Sequence, residues 1–308
     1  MRTRRIAAID IGSNSIKLVV VEAADDSFTV LTQERERVRL GMCLRRRIIS
    51  PEDVKRSAKA IARFRSVAEN HGADVLIAVA TASVREASNA DYFVREIERL
   101  TGVRAEVLSS IEEARLIGIA AAEFFGMNEG GLLNVDIGGG STELSLMRDG
   151  APEMLFSMKI GAVGLRENFL FTNPPGEREL HELREEINHA LQRPARELLT
   201  AAPWRLTTGT SGTVLNLASL LDDEDGEISL GKLTVLNENL ARMSHAERAA
   251  LPRISASRAE VIVAGGQILE AVMRALRLER LQACRYALRE GVVIDHLRRI
   301  EAESAARA

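Results

Sequence analysis

One short pattern occurs twice in this chain. Residues 8–18 (AIDIGSNSIKL) and residues 134–144 (NVDIGGGSTEL) each run from an apolar stretch into Asp-Ile-Gly, pass through small polar residues and resume as an alternating apolar stretch. The pattern predicts two β-hairpins with tight turns, because glycine allows positive φ and close approach of the backbone. The duplication predicts two similar domains, each carrying one such turn.

Each turn has the composition of a phosphate-binding loop. Backbone amides left unpaired at a tight turn, with hydroxyl groups beside them, form a concavity that suits phosphate oxygens. The Asp that ends the preceding strand, Asp10 or Asp136, can hold a hard cation directly or through water. We therefore expect two domains facing each other across one phosphate-binding cleft; plain hairpin turns are the alternative. The loop residues are Gly12, Ser13, Asn14 and Ser15 in the first copy and Gly138, Gly139, Gly140, Ser141 and Thr142 in the second.

Length and composition limit the classes of protein that fit. At 308 residues the chain exceeds the usual size of one hydrophobic core, which agrees with two domains. A net charge of −3 gives no overall attraction to nucleic acid or to an anionic membrane, so we expect neither as a partner. Asp10 interrupts the only apolar run near the basic N-terminus, which is too short for a signal peptide. We expect a cytoplasmic protein, either a monomer or a homodimer.

The order of strand and helix patterns predicts an α/β fold. Residues 75–80 form a short apolar run typical of a buried parallel strand, and Ser50-Pro51-Glu52-Asp53 has the composition of a helix start. We expect residues 1–126, joined by the C-terminal helix at about residues 290–308, to form the first domain, and residues 127–289 the second. The junction is expected at Phe125-Gly126. The run Arg45-Arg46-Arg47 could contact a polyanion, although a solvated turn is the commoner explanation.

Further segments add a resemblance to a known family. Besides the turns at Asp10 and Asp136, they are residues 80–85 (ATASVR), 112–115 (EEAR), 209–213 (GTSGT) and 288–291 (LREG). Together, and in this order, they resemble the exopolyphosphatase/guanosine pentaphosphate phosphohydrolase family over almost the whole chain. The resemblance implies the fold of actin, sugar kinases and heat-shock ATPases: two similar α/β domains with a cleft between them. It also implies hydrolysis of a terminal phosphoryl group, with magnesium.

The GTSGT segment is a third candidate phosphate-binding loop. It follows an apparent strand at residues 204–207 and precedes an apolar helix at residues 214–221, so it would present a helix N-terminus to an anion. The residues concerned are Gly209, Thr210, Ser211, Gly212 and Thr213.

Glu113 is the candidate catalytic base, and it has a competing structural explanation. Residues 110–113 (SIEE) fit the Ser-x-x-Glu capping box, in which Glu113 would only close the start of a helix. The spacing by itself favours this cap. By resemblance, Glu113 matches the second glutamate of the family's Glu-Glu-Ala motif, which implies a base that orients or deprotonates water.

Two further charged residues are candidates. Glu143 stands where the first hairpin has Lys17, and it could bind the cation with Asp10 and Asp136 or help to place the water; a solvent-facing glutamate is the alternative. Three carboxylates at one phosphate site would repel the substrate, so the charge count predicts Mg²⁺ or another divalent cation. The resemblance implies that Arg85 binds substrate phosphate bidentately, although an exposed loop arginine is nearly as good an explanation.

Three functions follow, in order of preference. The first is an exopolyphosphatase that releases terminal orthophosphate from inorganic polyphosphate by direct attack of water. The second is a phosphohydrolase acting on guanosine pentaphosphate, since the family's motifs do not separate the two substrates. The third, from a different class, is a non-hydrolytic nucleotide-binding regulator with the actin-like fold. The presence of Glu113 favours a hydrolase.

Overall fold

The protein divides into two compact units. The computed structural model describes residues 4–24, 27–43, 47–127, 129–223 and 225–306. Unit 1 consists of Met1–Leu116 with Leu288–Ala308, and unit 2 of Ile117–Ala287. Unit 1 therefore contains the C-terminal helix as well as the N-terminal part of the chain. The junction expected from the sequence, Phe125-Gly126, lies later in the chain than this division.

Strands and helices alternate through both units. The strands are β1 (Arg4–Ile11), β2 (Ser15–Ala24), β3 (Ser27–Arg37), β4 (Val75–Ala80), β5 (Ala105–Val107), β6 (Gly131–Ile137), β7 (Thr142–Arg148), β8 (Ala151–Met158), β9 (Leu206–Thr210), β10 (Glu227–Ser229) and β11 (Arg280–Ala283). The α-helices are α1 (Pro51–Asn70), α2 (Ala82–Arg85), α3 (Ala90–Thr101), α4 (Ser110–Phe124), α5 (Ala162–Phe169), α6 (Glu177–Leu198), α7 (Ser211–Leu221), α8 (Leu230–Arg242), α9 (His245–Ala250), α10 (Ala256–Ala259), α11 (Ile262–Ala275) and α12 (Leu288–Ala305). Among the helices of the described ranges, none combines the length and the apolar character that crossing a membrane requires.

The two sheets share one arrangement of strands. From its antiparallel edge, the sheet of unit 1 has the order β3-β2-β1-β4-β5, and that of unit 2 has the order β8-β7-β6-β9-β11, with β10 added at the far edge. In both, the first three strands are antiparallel neighbours and the next two join in parallel. Parallel neighbours need a long crossover, which α1 provides before β4 and α6 before β9. The repeat seen in the sequence is therefore a repeat of structure.

The apolar residues of the first hairpin anchor it in the core of unit 1. Ile9 of β1 and Leu18 of β2 pack with Ile61 and Phe64 of α1 in one apolar cluster. Because side chains alternate along a strand, Asp10 points to the opposite face of the sheet, the face away from α1. Strand packing thus fixes the direction in which Asp10 points.

The start of α1 follows its sequence closely. Ser50 caps the helix: its Oγ accepts a hydrogen bond from the Asp53 N–H at 3.2 Å, and an Asp53 oxygen accepts one from the Ser50 N–H at 3.3 Å. Pro51 occupies the first helical position, where no N–H is needed. The predicted helix start and the parallel strand that follows it are confirmed. Arg45 and Arg46, expected in a solvated turn, lie outside the described residues.

Close packing of α12 on α4 gives a test of the core of unit 1. A Cβ added to buried Gly291 would collide with the backbone oxygen of Leu116, so Gly291→Ala should lower the free energy of unfolding by about 1–3 kcal/mol. The control is Gly231→Ala in α8, where a Cβ meets open space and helix propensity predicts a gain of up to about 1 kcal/mol. Urea unfolding followed by circular dichroism measures both changes. Equal stability of the two variants would contradict the packing argument.

Candidate active site

The first turn is a four-residue loop closed by matched strand pairing. Asp10 lies directly opposite Lys17 and Ile11 opposite Ile16, and the Gly12 N–H donates to the Ser15 carbonyl oxygen at 3.2 Å. Outside the turn, the Ser13 carbonyl accepts from the Gly41 N–H at 2.6 Å, and the Asn14 carbonyl accepts from the N–H groups of Val38 and Arg39 at 3.3 and 3.1 Å. Residues 38–41 thus brace the loop through its carbonyl groups.

The second turn repeats this geometry. Asp136 lies opposite Glu143, Ile137 lies opposite Thr142, and the Gly138 N–H donates to the Ser141 carbonyl oxygen at 2.9 Å. Here the start of α5 is the brace: the Ala162 N–H donates to the Gly138 carbonyl at 3.0 Å and the Val163 N–H to the Gly139 carbonyl at 2.9 Å.

This bracing orients the free edge of each loop. In a trans peptide the carbonyl and the following N–H point in opposite directions. Carbonyl groups directed towards residues 38–41 or α5 therefore turn the N–H groups of Asn14 and Ser15, and of Gly139 and Gly140, the other way. Two successive N–H groups directed alike form a concavity for an anion. A Cβ on Gly161 would lie 2.5 Å from the Gly139–Gly140 peptide, so this brace depends on glycine.

The two turns differ in the residue opposite the Asp. In unit 1 the Lys17 ammonium lies 3.2 Å from an Asp10 carboxylate oxygen. In unit 2 the matched residue is Glu143, which is fully buried and accepts a hydrogen bond from the Ser157 hydroxyl at 2.7 Å. The alternative of a solvent-facing Glu143 is wrong, because none of its surface is exposed. The second turn thus has a buried carboxylate at the position where the first turn has a partly exposed ammonium group.

A chain of buried hydrogen bonds fixes Asp136. The Thr208 hydroxyl donates to the Asn134 side-chain oxygen at 2.9 Å, and the Asn134 amide donates to the Thr210 hydroxyl oxygen at 3.1 Å. Thr210 in turn donates its proton to an Asp136 oxygen at 2.5 Å. Because the Asp136 carboxylate can only accept, Thr210 donates to it and accepts from the Asn134 amide, so the direction of the chain is set and ends on the carboxylate. Asn134 and Thr208 were not foreseen, since their meeting depends on the register of β6 against β9.

The third candidate segment, residues 209–213, passes directly from β9 into α7 beside the second turn. Its Ser211 has a φ of 80°, and the Ser211 hydroxyl donates to the Ile137 carbonyl at 2.7 Å. The guanidinium of Arg258 packs against Gly212, leaving no room there for a Cβ. Sequence reasoning missed Arg258, because only the fold brings α10 to this segment. The predicted order of strand and helix is confirmed, but no separate loop lies between them, because residues 209–210 end β9 and residues 211–213 begin α7.

Glu113 does not cap its helix, so the capping-box interpretation is wrong. The Ser109 hydroxyl accepts from the Glu112 N–H at 3.1 Å, and this serine, one residue earlier than Ser110, occupies the capping position of α4. Glu113 is buried, and one of its carboxylate oxygens accepts a hydrogen bond from Arg85 Nη1 at 2.8 Å. Its carboxylate is therefore held by a cation rather than by the helix start.

Arg85 is held near the first turn rather than in an exposed loop. Its Nη1 also donates to the Leu108 carbonyl at 3.0 Å. Arg85 ends α2, and the preceding Thr81 donates its N–H to the carbonyl of Ile11, the last residue of β1, at 3.3 Å. The parallel pairing of β1 with β4 thus brings the Arg85–Glu113 pair to the same end of the sheet as the Asp10 turn.

Unit 1 therefore holds one set of candidate residues and unit 2 another. In unit 1 are Asp10, the loop at residues 12–15, Arg85 and Glu113; in unit 2 are Asp136, the loop at residues 138–142, Glu143 and residues 209–213. Within the ranges that the structure describes, no three His, Cys, Asp or Glu side chains are grouped so as to hold a metal ion by themselves.

A family model decides the assignment of the chain. The model of the Ppx/GppA phosphatase family matches residues 19–300. The chain belongs to this family. Exopolyphosphatase 1 of Mycobacterium leprae is 34% identical over 97% of this chain and 91% of that protein. Exopolyphosphatase 1 of Mycobacterium tuberculosis strain H37Rv is 33% identical over 97% of this chain and 89% of that protein.

Solved structures agree with the fold. An exopolyphosphatase from Cytophaga hutchinsonii is 25% identical with a TM-score of 0.88, and the match covers 95% of this chain and 98% of that one. The Aquifex aeolicus member of the Ppx/GppA family has a TM-score of 0.81 at 24% identity, with 97% and 99% of the two chains covered. The expected α/β fold of two similar domains is confirmed.

The role of Glu113 can be tested against Glu112, the adjacent glutamate in the first turn of α4. Glu113→Gln keeps an oxygen that can accept the Arg85 hydrogen bond, yet it removes the basic carboxylate, so we expect kcat to fall by about 100-fold or more. Glu112→Gln is the matched control: it removes one charge beside Arg115 and leaves the Ser109 cap intact, so kcat should stay near the wild-type value. Rates of phosphate release and urea unfolding curves should be measured for both. Equal turnover of the two variants would exclude a catalytic Glu113.

Proposed function

We propose that this member of the Ppx/GppA family is an exopolyphosphatase, which removes terminal orthophosphate from inorganic polyphosphate by direct attack of water. The observation that carries the proposal is the pair of braced turns, each with directed N–H groups beside an Asp, together with a buried Glu113 held by Arg85. The name exopolyphosphatase of relatives at 33–34% identity supports polyphosphate over guanosine pentaphosphate.

The proposed reaction is a simple displacement at phosphorus. A water oxygen bonds to the terminal phosphorus as the bond to the bridging oxygen breaks, and the bridging oxygen becomes the new end of a shortened chain. Glu113 orients the water and accepts its proton, with Arg85 holding the carboxylate. The turn N–H groups and the hydroxyls of Ser13, Ser15 and Ser141 hold phosphate oxygens. Positioning and charge stabilisation supply most of the catalysis in phosphoryl transfer.

A divalent cation fits this set of residues. Mg²⁺ is usually bound through one or two carboxylates together with water and substrate phosphate rather than by an all-protein cage. The candidate ligands are Asp10 in unit 1, and Asp136 and Glu143 in unit 2. Asp136 is suited to the role because Thr210 fixes the position of its carboxylate. When bound, the cation neutralises phosphate charge in the transition state.

A comparison of substrates tests the proposed function. Orthophosphate release should be measured side by side from long polyphosphate, tripolyphosphate, guanosine pentaphosphate and ATP, with purified full-length protein and Mg²⁺. We expect polyphosphate to give the highest kcat/KM. Preferential hydrolysis of guanosine pentaphosphate would favour the second hypothesis, and binding of nucleotide without hydrolysis of any substrate would favour a regulator. Cytoplasmic location and oligomeric state stay predictions.

Cation removal tests the role of the aspartates. We expect metal-stripped protein in excess chelator to release no phosphate, and added Mg²⁺ to restore activity. Asp10→Asn and Asp136→Asn should lose activity but stay folded, since Asn has nearly the same shape.

Thr210→Val removes the hydrogen bond that fixes Asp136 and should raise the Mg²⁺ concentration for half-maximal activity by about 10–100-fold. The control Thr207→Val, which loses only a contact with the Trp204 indole, should leave it unchanged. Full turnover in chelator would refute the cation.

A further inference from the structure

A row of charged side chains crosses three strands of unit 1 beside the first turn. Lys17 of β2 lies opposite Asp10 on one side and opposite Arg35 of β3 on the other. Arg37, two residues along β3, lies opposite Ser15 of the turn. Residues directly opposite each other point to the same face of a sheet, as do residues two apart on one strand. All five side chains therefore belong to the face of Asp10.

Strand β3 separates its charges by face. In residues 34–37 (ERER), Glu34 and Glu36 point to the other face, where both pair with Arg63 of α1 at 3.0 and 3.2 Å. The acidic residues of the strand are thereby kept away from Arg35 and Arg37. On the Asp10 face, β2 and β3 place Lys17, Arg35 and Arg37 in a row beside the Asp10 carboxylate, so these strands bring positive charge to the turn although the whole chain is negative.

Arg35 also contacts the turn directly. Its Nε donates a hydrogen bond to the Ser15 hydroxyl oxygen at 2.9 Å, which holds the guanidinium at the edge of the loop. Partial burial lowers the pKa of Arg35, and the positive charge of Arg37 beside it lowers that pKa further. Cations crowded in this way are stabilised by an anion, and a guanidinium matches phosphate oxygens bidentately.

We propose that Arg35 and Arg37 form a second phosphate subsite beside the turn at residues 12–15, which binds a non-terminal phosphate of the polyphosphate chain. The proposal rests on the proposed function and specifies its substrate as a linear chain of phosphates. A chain that carries about one charge per phosphate gains from each added cation, whereas a phosphate monoester reaches only the turn. The subsite lies entirely within unit 1.

The test compares charge removal on the two faces of β3. In the full chain, Arg35→Gln should raise KM for long polyphosphate about tenfold, keep kcat within about twofold and reduce the slope of log KM against log salt concentration by about one. Arg37→Gln should act in the same direction, and Arg35→Lys, which keeps the charge, should lie between Arg35→Gln and wild type. Arg63→Gln, which removes one charge from the opposite face, is the control and should leave KM and the salt slope unchanged.

A binding measurement separates this proposal from the proposed function. Fluorescence anisotropy of end-labelled polyphosphate over the same salt series reports the subsite even if wild-type protein releases no phosphate, an outcome that would refute only the function. If Arg35→Gln and Arg63→Gln bind polyphosphate alike, or if Arg35→Gln lowers kcat without changing KM, the subsite is refuted. A loss of affinity for guanosine pentaphosphate without any loss for polyphosphate would also overturn it.

Discussion

The rest of the structure depends on the register of two hairpins. Each hairpin buries its alternate apolar residues under helices, as Ile9 and Leu18 show in unit 1, and a slip of one residue would exchange its two faces. With the register fixed, Asp10 and Asp136, the next-to-last residues of β1 and β6, point to the face opposite these packed residues. The hydrophobic core therefore decides the direction of two carboxylates that take no part in it. Neighbouring segments then bind the carbonyls of each loop and turn its N–H groups outward.

The same logic extends from the hairpins to the residues that join them. Strand β4 pairs in parallel with β1, so the segment after β4 lies against the end of β1, and the Arg85–Glu113 pair follows it there. In unit 2, β9 pairs in parallel with β6, and Thr210 consequently reaches Asp136. The equivalent strands β4 and β9 therefore place different groups beside the turns. In unit 1, the segment after β4 brings the Arg85 guanidinium to the Glu113 carboxylate. In unit 2, β9 brings the Thr210 hydroxyl, the last member of a buried hydrogen-bonded chain, to the Asp136 carboxylate.

Sequence reasoning succeeded where a property is local or repeated. The two turns, the start of α1 at Ser50 and the parallel strand at residues 75–80 depend on glycine, capping residues and apolar runs, all of which act over a few positions. It failed where two local patterns competed. Ser109 and Ser110 are both able to cap a helix. Because Ser109 is the cap, the partner position three residues later is Glu112, and Glu113 is not part of the helix cap. One residue of difference in the helix start separates a structural glutamate from a candidate base.

The sequence by itself determined the duplicated α/β architecture, the two glycine-containing turns and the acidic residues beside them, because these follow from periodicity and residue size. Only the tertiary structure decided the partners of those residues. It paired Asp10 with Lys17, buried Glu143 against Ser157, brought Arg35 to Ser15 and packed Arg258 on Gly212. Contacts of this kind join segments far apart in the chain through strand register and crossover connections. The energies of these contacts depend on how deeply the groups are buried and how far apart they lie, and both are set only when the sheets have formed.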